Sequence, residues 1–556
     1  MISTPAIAAI LWSVILGGIG GVLTEIGPWY RALKKPSFQP PDWAFGPAWT
    51  IILGLAGWAG YMAYAAATTD AQRTSVNESA LAQSIVKLFE RQFDKSNPAA
   101  PLSDATAQRR RGAALNSAWR NHVYDVLYRS VETKSEDTFV SVACYYRSFI
   151  DVIKNASIAI TYNFDDSIER FLAKARAPKE VRSRRGYTTV YDENSQLPTN
   201  APVIYHPNGF LSHRKAEKPS THLILSEDSF SAQLNDSITG RHAVIQSELS
   251  QKTCLIVGCS LQDPTLNFLL KKNGEHHPGH FHYYIHWSGD NGSNPASEVD
   301  AEKLFELYNL ITLSLSSDEI RTLGDLLSYE QEFFRHKIRE IELDAQFTFV
   351  VTGAVGSGKS SVISHFRSLR QHDEWLEPRL EGMERQIDDL SSAQVEKIDR
   401  WVDQQFALKN SVLHNQEQNS VAIHILDRGP LDPLAFVKGS RVTDRAQKLK
   451  KAMKHKLEQV IVPSHVVVLV ADPKEMEIRA ATRGKAFSEI SLTKQQQALL
   501  GTYGDGKGVT VVDTRGLSLS QVVRRVAKII HRDPYHELDL SARLDELGDD
   551  PQLELL

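Results

Sequence analysis

Cysteine is scarce: Cys144, Cys254 and Cys259 are the three in 556 residues, and no two stand in a Cys-x-x-Cys pair. This argues against a disulfide framework and against a four-cysteine zinc site, and it suits a reducing compartment. Charge of one sign is scarce too. A formal net charge of −4 on a chain of this length exerts no global pull toward nucleic acid or anionic lipid. Glycine nearly vanishes from one stretch, since Gly112 stands alone between Asp70 and Ser157. Long uncharged apolar runs are confined to 6–23 and 43–67, joined by the polar, proline-rich 25–42. Each run is long enough to cross a hydrocarbon core of about 30 Å. No basic n-region precedes the first and a second span follows it, which disfavours a signal peptide. A membrane hairpin over 6–67 is the expectation.

The chain is too long for one hydrophobic core. The expected order is a hairpin at 1–68, a linker and helical region at 69–136, an α/β domain at 137–330, a helical connector at 331–345, a second α/β domain at 346–535 and an acidic tail at 536–556. The basic triplet Arg109-Arg110-Arg111 should be a solvated end ahead of a helix near 114–129. Short apolar runs at 158–162, 201–205, 222–225, 254–257 and 281–286 read as buried strands, and 301–343 reads as mostly helical. Strands alternating with helical patterns point to α/β architecture.

The sharpest signal is Gly353-Ala-Val-Gly356-Ser357-Gly358-Lys359-Ser360-Ser361, which follows an apolar strand at 347–351 and precedes a helix. Glycines let backbone N–H groups turn onto phosphate oxygens, and a helix start adds partial positive charge. Lys359 would reach the β- and γ-phosphates of ATP or GTP, and the Ser360 hydroxyl would be a Mg²⁺ ligand. A second strand, Val421-Ala-Ile-His-Ile-Leu426-Asp427-Arg428-Gly429, ends in an acid and an arginine. Ligands bind at the carboxyl ends of parallel strands, which places Asp427 to hold Mg²⁺ and Arg428 to hold phosphate. Arg479, Arg483 and Lys485 follow the strand 466–470 and could close over a transferring phosphoryl group, or equally form a solvated basic face.

These residues in this order resemble the deoxynucleoside kinase and thymidylate kinase branch of P-loop proteins, over roughly 180 residues. The resemblance implies phosphoryl transfer to a nucleoside or nucleotide, with Arg479 and Arg483 on a lid. It also implies an acid after the second strand as base on the acceptor hydroxyl, for which Glu377-Pro378 stands in roughly the right place.

In the middle of the chain, Ile160-Thr-Tyr-Asn163-Phe-Asp165, Val203-Ile-Tyr-His206-Pro-Asn208-Gly209 and Val257-Gly258-Cys-Ser260-Leu-Gln-Asp263-Pro264 resemble SIR2-like domains of bacterial defence proteins. That implies a Rossmann-like fold binding NAD or a related nucleotide at Gly258, Ser260 and Asp263, with Asn163 serving ribose chemistry. The chain departs from the pattern twice. Asn208 stands where a histidine is expected, and an amide takes no proton near neutral pH; His206, two residues away, is the alternative base. The Gly-Ala-Gly loop that opens the family is missing, since Gly112 is the one glycine in 71–156. Three scattered cysteines also disfavour a zinc-bearing deacetylase. His276-His277-Pro-Gly-His280-Phe-His282 reads as a polar turn into a strand rather than a metal site.

The segment around Trp29-Tyr30, Pro40-Pro41, Trp43 and Trp49 resembles the first interhelical loop of the TspO/MBR tryptophan-rich sensory family, covering about the first 66 residues. It implies membrane anchoring with cytoplasmic domains, a cytoplasmic chain being the alternative. Arg31, Lys34 and Lys35 in the hairpin loop pull toward the opposite orientation. The fold class expected overall is α/β, with a SIR2-type domain and a P-loop parallel sheet behind two hydrophobic helices. The functional expectation is a nucleotide-sensing, defence-type phosphotransferase. Its alternatives are an NAD-hydrolysing effector and a non-catalytic nucleotide-binding scaffold, and a homo-oligomer is left open.

Overall fold

A computed structural model of the chain describes residues 89–93, 105–128 and most of 149–549. The longer stretches left out of that range are 175–186, 192–201, 214–240 apart from 220 and 223, 341–345, 382–389 apart from 383, 418–421, 438–440 and 455–460. The apolar runs 6–23 and 43–67 and nearly all of 222–225 therefore lie outside the described residues. No helix among those described is long and apolar enough to cross a membrane. The chain divides into two compact units, 1–126 with 221–232, and 127–220 with 233–556.

The described part of the first unit is chiefly helix α1, Ala105–Tyr128, where Trp119 packs edge-on against Phe89 with ring centroids 5.0 Å apart. The helix starts well before 114, so Arg109-Arg110-Arg111 lies inside it. Arginine, alanine and glutamine are good helix formers and extend it toward the amino end.

The second unit begins with two three-stranded sheets, both parallel. The first, in order β1-β3-β2, joins β1 (Ile158–Ile160), β2 (Thr188–Val190) and β3 (Val203–Tyr205). The second, in order β4-β5-β6, joins β4 (Leu255–Ile256), β5 (His282–Trp287) and β6 (Leu310–Leu315). Helices α2 (Ser167–Lys174), α3 (Arg241–Gln251), α4 (Pro264–His276), α5 (Glu298–Tyr308), α6 (Ser317–Ser328) and α7 (Gln331–Glu340) accompany them. One cluster containing Val203, Tyr205, Leu269, Leu270 and Leu310 bridges both sheets. The stretch 301–343 is mostly helical as expected, with strand β6 an unforeseen interruption. Asn309, at φ 53°, ends α5 in a left-handed turn, and Leu310-Ile-Thr-Leu-Ser-Leu then alternates as strand residues do.

The C-terminal region is one five-stranded parallel sheet in order β11-β10-β7-β9-β8. Its strands are β7 (Gln346–Gly353), β8 (Arg370–His372), β9 (Ala422–Asp427), β10 (His465–Val470) and β11 (Val509–Asp513). The helices are α8 (Lys359–Ile363), α9 (Ser392–Glu417), α10 (Arg441–Lys454), α11 (Pro473–Ala481), α12 (Glu489–Tyr503), α13 (Leu519–His531) and α14 (Leu540–Asp549). Central strands are largely apolar because both faces are covered. Val350, Leu426, Val466 and Val468 face one side, among Leu449, Leu499 and Leu544. Leu540, Leu544 and Leu547 are all but inaccessible to solvent, so 540–549 is a packed helix rather than the frayed end that its acidic residues suggested, and 550–556 lie outside the described residues. Their i, i+4, i+7 spacing gives α14 an apolar stripe.

Phe349, Val351, Ile425, Val467 and Leu469 face the other side of the sheet, and that cluster includes Phe281 and Phe305 of the preceding region. A Cβ at Gly279 would lie 2.7 Å from the His365 carbonyl oxygen, so the backbones of the two regions meet closely there. Around this shared core, Arg532 pairs with Glu298 and Glu302, and Lys528 reaches Glu302 at 2.9 Å. Replacing Glu302 with glutamine strips α13 of a partner for two cations. Half-exposed pairs contribute little each, so the expected loss is about 1 kcal/mol in global stability. A chemical-denaturation midpoint equal to wild type would show these pairs to be inert.

Candidate functional site

Register brings the carboxyl ends of three strands level: Val351 pairs with Asp427 across β7 and β9, and Leu469 with Gly353 across β10 and β7. The glycine-rich loop leaves β7 at this edge and feeds α8, with Gly358 at φ 96° as its cap. Gly356 sits at φ 83°, and a Cβ there would lie 2.5 Å from the Met476 carbonyl oxygen. Left-handed strain and a backbone clash combine, so Gly356→Ala is expected to cost about 2–4 kcal/mol. An unchanged denaturation midpoint would contradict this contact.

Lys359 folds back on the loop, donating to the carbonyls of Gly353 at 2.8 Å and Ala354 at 3.1 Å. Burial, with the Arg428 guanidinium adding to it, pushes its ammonium down to about 7. The Ser360 hydroxyl donates to Asp427 Oδ2 at 2.5 Å. Asp427 Oδ1 is buried with no hydrogen-bond partner. An unsatisfied carboxylate oxygen beside a serine hydroxyl is an oxygen donor set that fits a hard divalent cation such as Mg²⁺.

Arg428, at φ 68°, is one of three described non-glycine residues with a left-handed backbone, a conformation costing about 1–2 kcal/mol. Its Nε donates to Glu374 at 2.7 Å and its Nη1 to Asp432 at 3.3 Å. Asp432 also accepts from Thr352 at 2.8 Å and from Tyr503 at 2.6 Å. Burial would lift the Glu374 carboxyl, but the Arg428 guanidinium outweighs it and holds it below the usual range. An ionised carboxylate beside the loop can accept a proton from a hydroxyl. Glu377 is occupied differently: Gln405 donates to it at 2.8 Å. Glu374, rather than Glu377, thus faces Arg428. It follows a short polar edge strand, β8, that carries no apolar signal.

Arg479 lies on α11, donating to Glu475 at 2.7 Å and standing 3.5 Å from the Gly356 carbonyl oxygen. Arg483 is exposed in the turn after α11, and Lys485 lies outside the described residues. Ser357 is buried with its hydroxyl unpartnered, and Ser361 is half-buried on α8. Asp432 and Tyr503 complete the cluster. Asp432 closes the Leu426-Asp-Arg-Gly-Pro-Leu-Asp run, but nothing in the sequence tied it to Tyr503.

A second cluster forms where β1, β3 and β4 end. His206 is fully buried, one ring nitrogen 2.9 Å from the Asn163 carbonyl oxygen and the other 2.9 Å from Glu169. Asn163 itself is exposed. Asp263 caps α4, accepting from Thr265 and Leu266 at 2.9 and 2.8 Å. Burial lifts the Asp263 carboxyl above its usual range. Asn208 hydrogen-bonds to it, while Asn208 Oδ1 and the Tyr162 hydroxyl are buried without partners. Gly258, at φ 66°, borders the cluster, and Ser260 lies outside the described residues. Burial pushes the Cys259 thiol up, away from the thiolate a nucleophile needs. The histidines after α4 are engaged with protein groups: His280 meets the Lys252 carbonyl at 3.0 Å, and His282 meets Asn273 at 3.1 Å.

Residues 8–89 match the TspO/MBR family, and residues 157–313 match the SIR2-like domain. Sixty residues are 40% identical to the tryptophan-rich protein TspO of Archaeoglobus fulgidus, covering 10% of this chain and 39% of that one. Thirty-six residues are 39% identical to the translocator protein of Homo sapiens, covering 6% and 21%. The chain spans well under half the length of these curated relatives. Among solved structures, thymidylate kinase from Candida albicans aligns with 35% of this chain and 98% of its own, at 14% identity and a TM-score of 0.24. NadR protein in complex with NAD and AMP-PNP aligns with 68% and 89%, at 10% identity and a TM-score of 0.25. The described chain is α/β: residues 157–313, which match the SIR2-like domain, are followed by a five-stranded parallel sheet with a glycine-rich loop after β7.

Proposed function

We propose that the C-terminal region binds a nucleoside triphosphate with Mg²⁺ and transfers its terminal phosphoryl group to a hydroxyl of a nucleoside or nucleotide. The reading rests above all on the Ser360–Asp427 contact with its unsatisfied carboxylate oxygen, set against a buried lysine. Bound Mg²⁺ supplies charge neutralisation across the phosphates. Ser360 and Asp427 hold that ion. Lys359 leaves the Gly353 and Ala354 carbonyls and turns its charge onto the polyphosphate. Arg428 positions the acceptor side, and Glu374 takes the acceptor proton. Arg479 and Arg483, on and just after α11, close over the loop as a lid. Catalysis is then positioning plus charge neutralisation.

The full-length chain incubated with labelled ATP or GTP, Mg²⁺ and a panel of nucleosides and nucleoside monophosphates should yield a phosphorylated acceptor. No transfer to any member, with nucleotide binding intact, would leave a non-catalytic scaffold.

A second reading has its own support in the buried, unpartnered Tyr162 hydroxyl and Asn208 Oδ1 beside Asp263. Two unsatisfied groups in one cluster suit the polar edge of a nucleotide such as NAD, and the SIR2-like region then senses or consumes it in a defence-type role. NAD loss that disappears with Asn163→Ala supports consumption; NAD binding without loss supports sensing. We further propose that 6–67 anchors the chain in a membrane with the nucleotide sites on the cytoplasmic side. Alkaline carbonate extraction should leave the full chain in the membrane pellet, and its release to the supernatant would defeat the anchor.

A further inference from the structure

Lys409, on α9, is 2% exposed and sits within the nucleotide edge of the sheet. Its ammonium donates to the main-chain carbonyl of Asp427 at 2.9 Å and lies over the Phe406 ring, 5.5 Å from the centroid. The other end of that same peptide is held as well, because Arg428 N–H donates to the Val351 carbonyl at 3.1 Å. The orientation of this peptide sets both the direction of the Asp427 side chain and the left-handed φ of Arg428. A strained turn persists when its surroundings over-determine it, and here α9 and β7 clamp it from two sides.

We propose that Lys409 is a positioning residue for the metal-binding acid. Through the Asp427 carbonyl it fixes the 427–428 peptide, so that the Asp427 carboxylate meets Ser360 and Arg428 turns toward Glu374. The inference rests on the nucleotide reading of this site. A buried lysine is costly unless paired, and a simple packing role would be filled better by methionine or leucine. The groups that face it are Asp427, Arg428, Asp432, Glu374 and His372. Burial pushes the Lys409 ammonium down to about 8, with the three carboxylates opposing.

Charge and hydrogen bonding make opposite predictions here. Removing a cation from the site would by itself favour Mg²⁺, whereas releasing the 427–428 peptide would weaken its hold. The test is the Mg²⁺ concentration that half-saturates binding of a fluorescent ATP analogue to the full-length chain, for wild type, Lys409→Met and Lys409→Arg. Methionine should raise the requirement about tenfold. Arginine keeps a charged donor on a long side chain that can reach the Asp427 carbonyl, so it should stay within about threefold of wild type. If the methionine variant does not fold, Lys409→Gln, whose amide falls short of the carbonyl, takes its place with the same expectation. A Mg²⁺ requirement at or below wild type in the methionine or glutamine variant overturns the inference. So does an arginine variant as impaired as methionine. Wild type that takes up no nucleotide at any Mg²⁺ concentration removes the underlying reading, and the inference with it.

Discussion

Replacing Lys359 with alanine is expected to lower phosphoryl transfer about 10²–10³-fold, because one preorganised donor to the transferring group disappears. The same lysine should leave a proton signature in the wild-type chain. Burial and the Arg428 guanidinium push its ammonium down to about 7, so at pH 8 the empty site holds it mostly neutral. A polyphosphate favours the charged form, and binding then takes up a proton. Affinity should therefore weaken as pH rises above 7, by up to about tenfold per unit. The empty fold behaves oppositely. A lysine whose value is depressed in the folded state destabilises that state fully below about 7, and the penalty fades as pH rises toward the ordinary lysine value. Titration calorimetry at pH 8 in buffers of different ionisation enthalpy measures the uptake directly. No uptake in wild type, or equal uptake in Lys359→Ala, would assign the proton to another group.

Asp427→Asn should cost Mg²⁺-dependent transfer about 10²–10³-fold, since the amide keeps the shape and loses the charge that holds the metal. The metal-free chain should lose little stability by comparison. Asp427 is buried, and its Oδ1 has no hydrogen-bond partner; the amide lessens the cost of that bare oxygen, and this offsets part of the attraction to Lys359, Lys409 and Arg428 that it gives up. Function lost with stability kept is the signature of a residue retained for its ligand. Denaturant midpoints without metal, set beside transfer rates with it, separate the two effects. A large fall in stability would instead make Asp427 part of the scaffold.

How much of this could be read from the chain alone depended on how each signal is built. The glycine loop, Lys359, Ser360 and Asp427 were legible because phosphate binding demands small residues and a fixed order along one strand–loop–helix. Glu374 escaped because it follows Arg370–His372, a polar edge strand without apolar periodicity. Asp432 and Tyr503 are far apart in sequence and meet only through packing of α12 on the sheet. Strand β6 was hidden in a helical neighbourhood, its boundary set by the left-handed Asn309. The leucines of α14 were outweighed in the reading by the acids between them. Asn163, Gly258 and Asp263 fall at one strand-end cluster, but their chemistry depends on the hydrogen bonds of His206 and Asn208, which no spacing rule supplies.

The face of the sheet formed by Phe349, Val351 and Leu469 is covered largely by Val522, Val526 and Ile530 of α13, and Phe281 and Phe305 from the preceding region complete that cluster. A gene fragment that began at the start of β7 would keep that helix but bare the apolar surface against which those two rings lie. A fragment carrying residues from about 281 onward would keep the two rings with the sheet, and with them the contacts of Phe281 to His531 and of Phe305 to Arg532.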